Sequence, residues 1–150
     1  MSNFNADLNV NLNATLSKLT RDPEDCSRVL VAALESGDIE TSVALYEPSA
    51  VLFKKSGEVM TGLAAIRENN AGVIALKPKF TIAFIKATLS GDGTLATNRM
   101  KAELAFTKPD GQLVQTSVDT LEVLRKQEDG SWRYIIDDPY GSMRAGMKER

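Results

Sequence analysis

Between Val29 and Arg67 the chain reads VLVAALESGDIETSVALYEPSAVLFKKSGEVMTGLAAIR, which spells an apolar helix, a short second helix, a strand, a turn and a third helix. That order sets helical and strand surfaces against each other within one short stretch. It predicts a domain whose helices cover one face of a sheet and leave room for a pocket.

The local signals support each step. Asp22, Pro23 and Glu24 form a helix start, with Asp22 as N-cap, Pro23 at the first helical position and acids where the positive end of the helix dipole favours them. Val29, Leu30, Ala33 and Leu34 share one helical face up to Ser36, and Gly37 is placed to end the helix. Asp38 caps a second helix over Ile39 to Tyr46, which Glu47-Pro48 stops because a residue before proline is pushed out of helical geometry. Ala50 to Phe53 reads as a strand, Ser56-Gly57 as a turn and Glu58 to Met60 as a short partner strand. Gly62 leads into a third helix from Leu63 to about Leu76, ended by Pro78.

After Pro78 the apolar period changes from helical to alternating. Strands are expected at Lys79 to Leu89, Thr94 to Thr107, Gln112 to Lys126 and Ser131 to Asp137, joined by turns at Gly91-Asp92-Gly93, Pro109-Asp110-Gly111 and Glu128-Asp129-Gly130. Consecutive hairpins of this kind make an antiparallel sheet, so the fold class is α+β, a curved sheet covered by three helices. Met100, Ala102, Leu104 and Phe106 alternate with Arg99, Lys101, Glu103 and Thr107, and the apolar set is expected to face the helices. In the strand before it both faces are apolar, with Phe80, Ile82 and Phe84 on one and Ala83, Ile85 and Ala87 on the other. A second copy packed behind the sheet, a homodimer through its outer face, would explain that. Residues 1–22 are Asn-rich and fit a strand pattern before a helical one, so they read as an extension ahead of a domain over 23–141, with a tail at 142–150.

Composition bounds the function classes. The 150 residues are 43% hydrophobic and 25% charged, ordinary for one globular domain. A net charge of −2 offers no basic stripe for phosphates, so nucleic acid is not an expected partner. No apolar run approaches a membrane span, and the start MSNFNADLNVNLNATLSKL lacks the build of a signal peptide, so a cytoplasmic protein is expected. With Cys26 the single cysteine and no histidine present, an intrachain disulfide, a histidine base and the usual zinc ligand sets are ruled out. No phosphate loop or dinucleotide fingerprint occurs, and no cofactor or metal is expected.

The segments GDIETSVALYEPSAVL, SGEVMTGLAAIR and VLRKQEDGSWRYIIDDPYG resemble the ketosteroid-isomerase-like superfamily, also known as SnoaL-like and nuclear-transport-factor-two-like, and its subgroup of ketosteroid isomerase homologues. The resemblance runs from about Asp25 to Gly141 and implies a cone of curved sheet closed by helices, an apolar cavity at the wide end, and dimerisation through the outer sheet face. The family's isomerases carry a tyrosine donor where this chain has Leu30, and an aspartate base where it has Lys54. The resemblance matches their second acid, kept neutral by an apolar site so that it donates a hydrogen bond, to Asp119. Losing the base and the tyrosine disfavours 3-oxosteroid isomerisation and leaves room for a different isomerase- or lyase-type reaction.

Asp119 is therefore the first candidate for acid or oxyanion donor. If it faces inward, so do Ser117, Leu121 and Val123, while Val118, Thr120, Glu122 and Leu124 face out; the alternative is a pairing of Asp119 with Arg99, Lys101 or Arg125 on an outer face. Lys54 at the cavity mouth and Asp138, from the Asp137-Asp138-Pro139-Tyr140-Gly141 closure, are the candidates for its catalytic counterpart. Leu30, Phe53, Phe80, Phe84, Met100, Leu104, Phe106, Trp132 and Tyr134 are the expected cavity wall, suited to a small, largely apolar ligand. The competing reading is a non-catalytic dimerisation or assembly module whose cavity is filled by its own side chains.

Overall fold

A computed structural model of the chain describes residues 4–141. In order it contains α1 (Phe4–Leu19), α2 (Pro23–Ser36), α3 (Ile39–Ala44), β1 (Tyr46–Phe53), β2 (Val59–Thr61), α4 (Leu63–Ala75), β3 (Lys79–Leu89), β4 (Leu95–Thr107), β5 (Leu113–Asp119), β6 (Leu121–Lys126) and β7 (Trp132–Asp138). The expected tail, 142–150, lies outside the described residues. Among the described residues no helix is long and apolar enough to cross a membrane.

The helix boundaries follow their local chemistry. The Asp22 N–H donates to Asp25 Oδ2 at 3.2 Å, Pro23 opens α2, and Gly37 closes it in the left-handed region at φ 78°. Asp38 Oδ1 accepts from the Thr41 N–H at 3.1 Å and caps α3. Residues 4–19, where the sequence pattern selects no single element, form one helix, because packing decides it: Leu16 is wholly buried, Leu12 packs on the same core, and the Thr20 hydroxyl donates to the Leu16 carbonyl. One expectation near here changes. Tyr46, expected to end α3, opens β1 instead, and α3 stops at Ala44, since the Tyr134 N–H donates to the Leu45 carbonyl at 2.9 Å and draws this segment into the sheet.

The strands run β2-β1-β7-β6-β4-β3, with β5 also paired to β4. All pairs are antiparallel except β1 with β7, which run parallel where the last strand returns beside the first. The expected strand Gln112 to Lys126 is broken at Thr120. Its N–H donates to the Met100 carbonyl and its hydroxyl accepts from the Met100 N–H at 3.2 Å, so β5 pairs with the far half of β4 and β6 with the near half.

Two irregularities set which side chains face the helices. In β3 the register steps from Ile82 opposite Ala102 to Phe84 opposite Lys101, so Ala83 is extra. In β7 it steps from Tyr134 opposite Leu124 to Ile136 opposite Val123, so Ile135 is extra. Each such bulge reverses the inward and outward sides beyond it. The main core lies beneath α1 and α2, built from Leu16, Cys26, Leu45, Leu52, Ile66, Leu124, Trp132 and Tyr134 among others. Each fully buried leucine there contributes about 2 kcal/mol.

Candidate functional site

Two rows of side chains cross the inner face of the sheet. One contains Tyr46 on β1, Tyr134 on β7, Leu124 on β6 and Ala96 on β4; the next, towards the open end, contains Leu52, Asp137, Glu122 and Asn98 on the same strands. The first row joins the core. The second row places two carboxyls side by side in the wall of a cavity of about 170 Å³. That cavity is bounded by Leu30 and Val31 of α2, Asn70 and Val73 of α4, Phe80, Met100 and Leu104 of β3 and β4, and Pro139 and Tyr140 after β7.

Glu122 and Asp137 are each only 4% exposed. Burial, then the neighbouring Asp137 charge, hold the Glu122 carboxyl well above the usual carboxylate range, against the pull of a hydrogen bond with Thr120. Its Oε2 has no hydrogen-bond partner. Asp137 is raised to about 6, chiefly by burial, while the Tyr46 hydroxyl donates to its Oδ2 at 2.5 Å and favours the ionised form. Burial thus works against ionising both members of the pair, and the two carboxyls titrate as a unit. Tyr46 and Tyr134 are held as neutral phenols by burial, their rings 5.0 Å apart and tilted by 38°.

Several other polar groups of the wall are engaged within the protein. The Tyr134 hydroxyl meets Ser27 Oγ at 3.4 Å, Asn70 Nδ2 donates to Ser42 Oγ at 3.1 Å, and Asn69 Nδ2 donates to Asn70 Oδ1 at 3.2 Å. Among the described residues no lysine or arginine lines the cavity.

Of the expected wall, Leu30, Phe53, Phe80, Met100, Leu104 and Tyr134 are in place. Phe84 is not: the bulge at Ala83 turns it to the outer face, 48% exposed. Phe106 lies further out along the β4–β5 hairpin, opposite Val114, and Trp132 is buried beneath α1, where its N–H donates to the Thr20 carbonyl.

The three residues expected to be catalytic stand outside the cavity wall. Asp119 faces outward opposite Lys101, so the inward set is Val118, Thr120, Glu122 and Leu124, the reverse of the expectation built on Asp119. Lys54 is an exposed turn residue paired with Glu58 at 3.5 Å. Asp138 Oδ1 accepts from the Tyr140 and Gly141 N–H groups at 3.2 and 3.1 Å and shapes the closing turn.

Sequence reasoning did not single out Glu122 or Tyr46, and it took Asp138 as the candidate where the cavity wall holds Asp137. The signal for Glu122 was its shared alternation with Leu124, obscured because Leu121 and Val123 are also apolar. For Asp137 strict alternation from Tyr134 points inward to Ile136, and only the bulge brings Asp137 in.

Residues 28–135 match the family model of the SnoaL-like domain, and the chain belongs to that family. No curated protein matches the sequence. The fold is also that of several solved structures. A candidate calcium/calmodulin-dependent protein kinase II association domain from Xanthomonas campestris aligns with a TM-score of 0.63 at 24% identity, over 73% of this chain and 77% of its own. A ketosteroid isomerase-like protein from Erwinia carotovora atroseptica aligns with a TM-score of 0.65 at 20% identity, over 77% and 89%. An uncharacterized protein with a cystatin-like fold from Caulobacter vibrioides gives 0.63 at 17%, over 74% and 80%. At these identities the likeness concerns the fold alone, which in this architecture hosts unrelated activities.

Proposed function

We propose that the chain binds a small, largely apolar molecule in this cavity and exchanges a proton with it through Glu122 and Asp137. The observation that carries the reading is the carboxyl pair itself, buried side by side in a cavity wall with one oxygen unpartnered. Burying such groups costs several kcal/mol, about 1–3 kcal/mol of it for the unmade hydrogen bond alone, and buried carboxyls with perturbed titration in a cavity concentrate at functional sites. In an isomerase- or lyase-type reaction Asp137 would take a proton from a carbon of the guest. Glu122 would give one to its heteroatom, with no covalent intermediate.

A homodimer through the outer sheet face is part of the proposal. Phe84 and Ile136, 48% and 38% exposed, both point to that face, beside the cross-strand neighbours Lys101 and Asp119. Sedimentation of the native chain and of Phe84→Glu tests it: a dimer that the substitution dissociates supports the interface, and a native monomer overturns it.

The cavity weighs against a module filled by its own side chains. Titrating isotope-labelled protein with benzyl alcohol and following amide shifts tests the binding reading. Shifts at Leu30, Met100 and Tyr134 that disappear in Leu104→Trp, which fills the space, would support it; no shifts at the wall would sink it.

A further inference from the structure

The polar groups of the cavity are unevenly matched, and the mismatch specifies the guest. On the donor side, the Tyr46 hydroxyl is spent on Asp137, the Tyr134 hydroxyl on Ser27, and Asn70 Nδ2 on Ser42. On the acceptor side, Glu122 Oε2 and, across from it on β4, Asn98 Oδ1 are buried and have no partner. A buried carboxyl oxygen left open in the wall calls for a polar partner from the guest. Among the described residues the wall also holds two acids and no lysine or arginine, so nothing in it offsets negative charge. Tyr46, Tyr134 and Phe80 supply ring surface around the same space, which suits a cation on one side and an apolar body on the other.

From this geometry we infer that the heteroatom of the guest is a basic nitrogen, bound as an ammonium against Glu122 and Asp137, with an apolar body of about one ring in the cavity. The inference rests on the binding reading above and narrows its ligand class. Size supports a single ring: an apolar cavity of about 150 Å³ holds benzene, and this one is about 170 Å³. Anions are excluded by the same charges that hold the amine.

Binding changes one proton and no covalent bond. Counted from the free amine, the carboxyl pair gives its proton to the nitrogen through Glu122, as in the reading above; counted from the ammonium that prevails in solution near pH 7, the same bound state is reached with one proton released to solvent, the pair being ionised against the cation. The titratable groups that face Glu122 are Asp137, Asp138 and Tyr134 on β7 and Tyr46 on β1. From β4 and α2 the neighbours are the uncharged Asn98 and Ser27. With no basic group in this set, the released proton has no acceptor in the wall and must leave.

Benzylamine, benzyl alcohol and benzoate share one shape and differ in charge, so titrating each into the native protein near pH 7 tests the inference. Benzylamine is expected to bind at least tenfold more tightly than the alcohol, and benzoate more weakly than either. Calorimetry in two buffers of different ionisation heat is expected to show release of about one proton with the amine and none with the alcohol. In folded Glu122→Gln, checked by circular dichroism, the amine should fall to the affinity of the alcohol. Equal binding of amine and alcohol by the native protein overturns the nitrogen and leaves the binding reading standing. Benzoate binding as tightly as the amine does the same. Failure of all three to bind overturns both.

Discussion

The two ends of the sheet bury charge in opposite ways. Beneath α1, Arg133 is 8% exposed, and its Nη1 donates to Thr20 Oγ1 at 2.9 Å, Ser131 Oγ at 3.3 Å and the Trp132 carbonyl at 2.7 Å. Beside it the Ser131 hydroxyl, then the Ser17 hydroxyl, hold Asp129 down at about 2. At the open end Glu122 keeps an unpartnered oxygen and Asp137 is pushed up to about 6, chiefly by burial. The first end spends its polar groups on holding helix to sheet. The second holds carboxyls in a state that lowers stability and preserves chemical capacity, a pattern that marks functional sites.

That contrast can be broken by substitution. The largest effect is expected at the closed end: Leu124→Ala, at a wholly buried position, should cost about 2–5 kcal/mol in urea unfolding. Leu104→Ala, which only borders the cavity, should cost about 1 kcal/mol, since the space it leaves adjoins an existing one. Equal losses would mean that the open end is packed as tightly as the closed one.

Next is pH. Asp137 holds its proton more tightly folded than unfolded, so the native state binds more protons and stability falls as pH rises. The contribution is complete below the ordinary value of 3.8 and is lost as pH passes about 6, a fall of about 3 kcal/mol. Glu122, shifted in the same direction, extends the fall to higher pH. Asp129 has the opposite sign and acts lower, stability rising from pH about 2 to 3.8. Urea unfolding across pH 2 to 8 should therefore pass through a maximum on the acid side, and Asp137→Asn should flatten the descending limb. A descending limb unchanged in Asp137→Asn would place the cause elsewhere.

Smaller still, Glu122→Leu should raise stability at pH 8 by about 1–3 kcal/mol, because an apolar side chain of similar size removes a desolvated carboxyl. A loss of stability on chemical denaturation would show that Glu122 holds the structure together. Asp119→Asn, on the outer face opposite Lys101, should change stability by less than about 0.5 kcal/mol and leave benzylamine titrations unaltered. A loss of binding there would return Asp119 to the site.

Where a signal is local, the chain can be read directly. Asp22-Pro23 and Gly37 bound α2, Gly62 and Pro78 bracket α4, and the three Asp-Gly turns divide the meander at the expected places, because caps and turns depend on a few adjacent residues. Most of the cavity wall was legible for the same reason: Met100 and Leu104 alternate with charged residues that can only face solvent. The α1 helix was not, since its helicity comes from what Leu12 and Leu16 pack against.

The acids lay beyond such reading. In β6 both alternating sets contain apolar residues, so sequence cannot choose between Glu122 and Leu121 for the inner face. The pairing of Thr120 with Met100, twenty positions away, makes the choice. In β7 one extra residue at Ile135 exchanges Ile136 for Asp137, and in β3 one at Ala83 sends Phe84 outward. The sequence by itself determined most of the elements after α1, their order, the family and the apolar character of the cavity. Tertiary structure alone decided which carboxyls enter it, because a strand's inward face is set by register with distant strands and a single bulge reverses it.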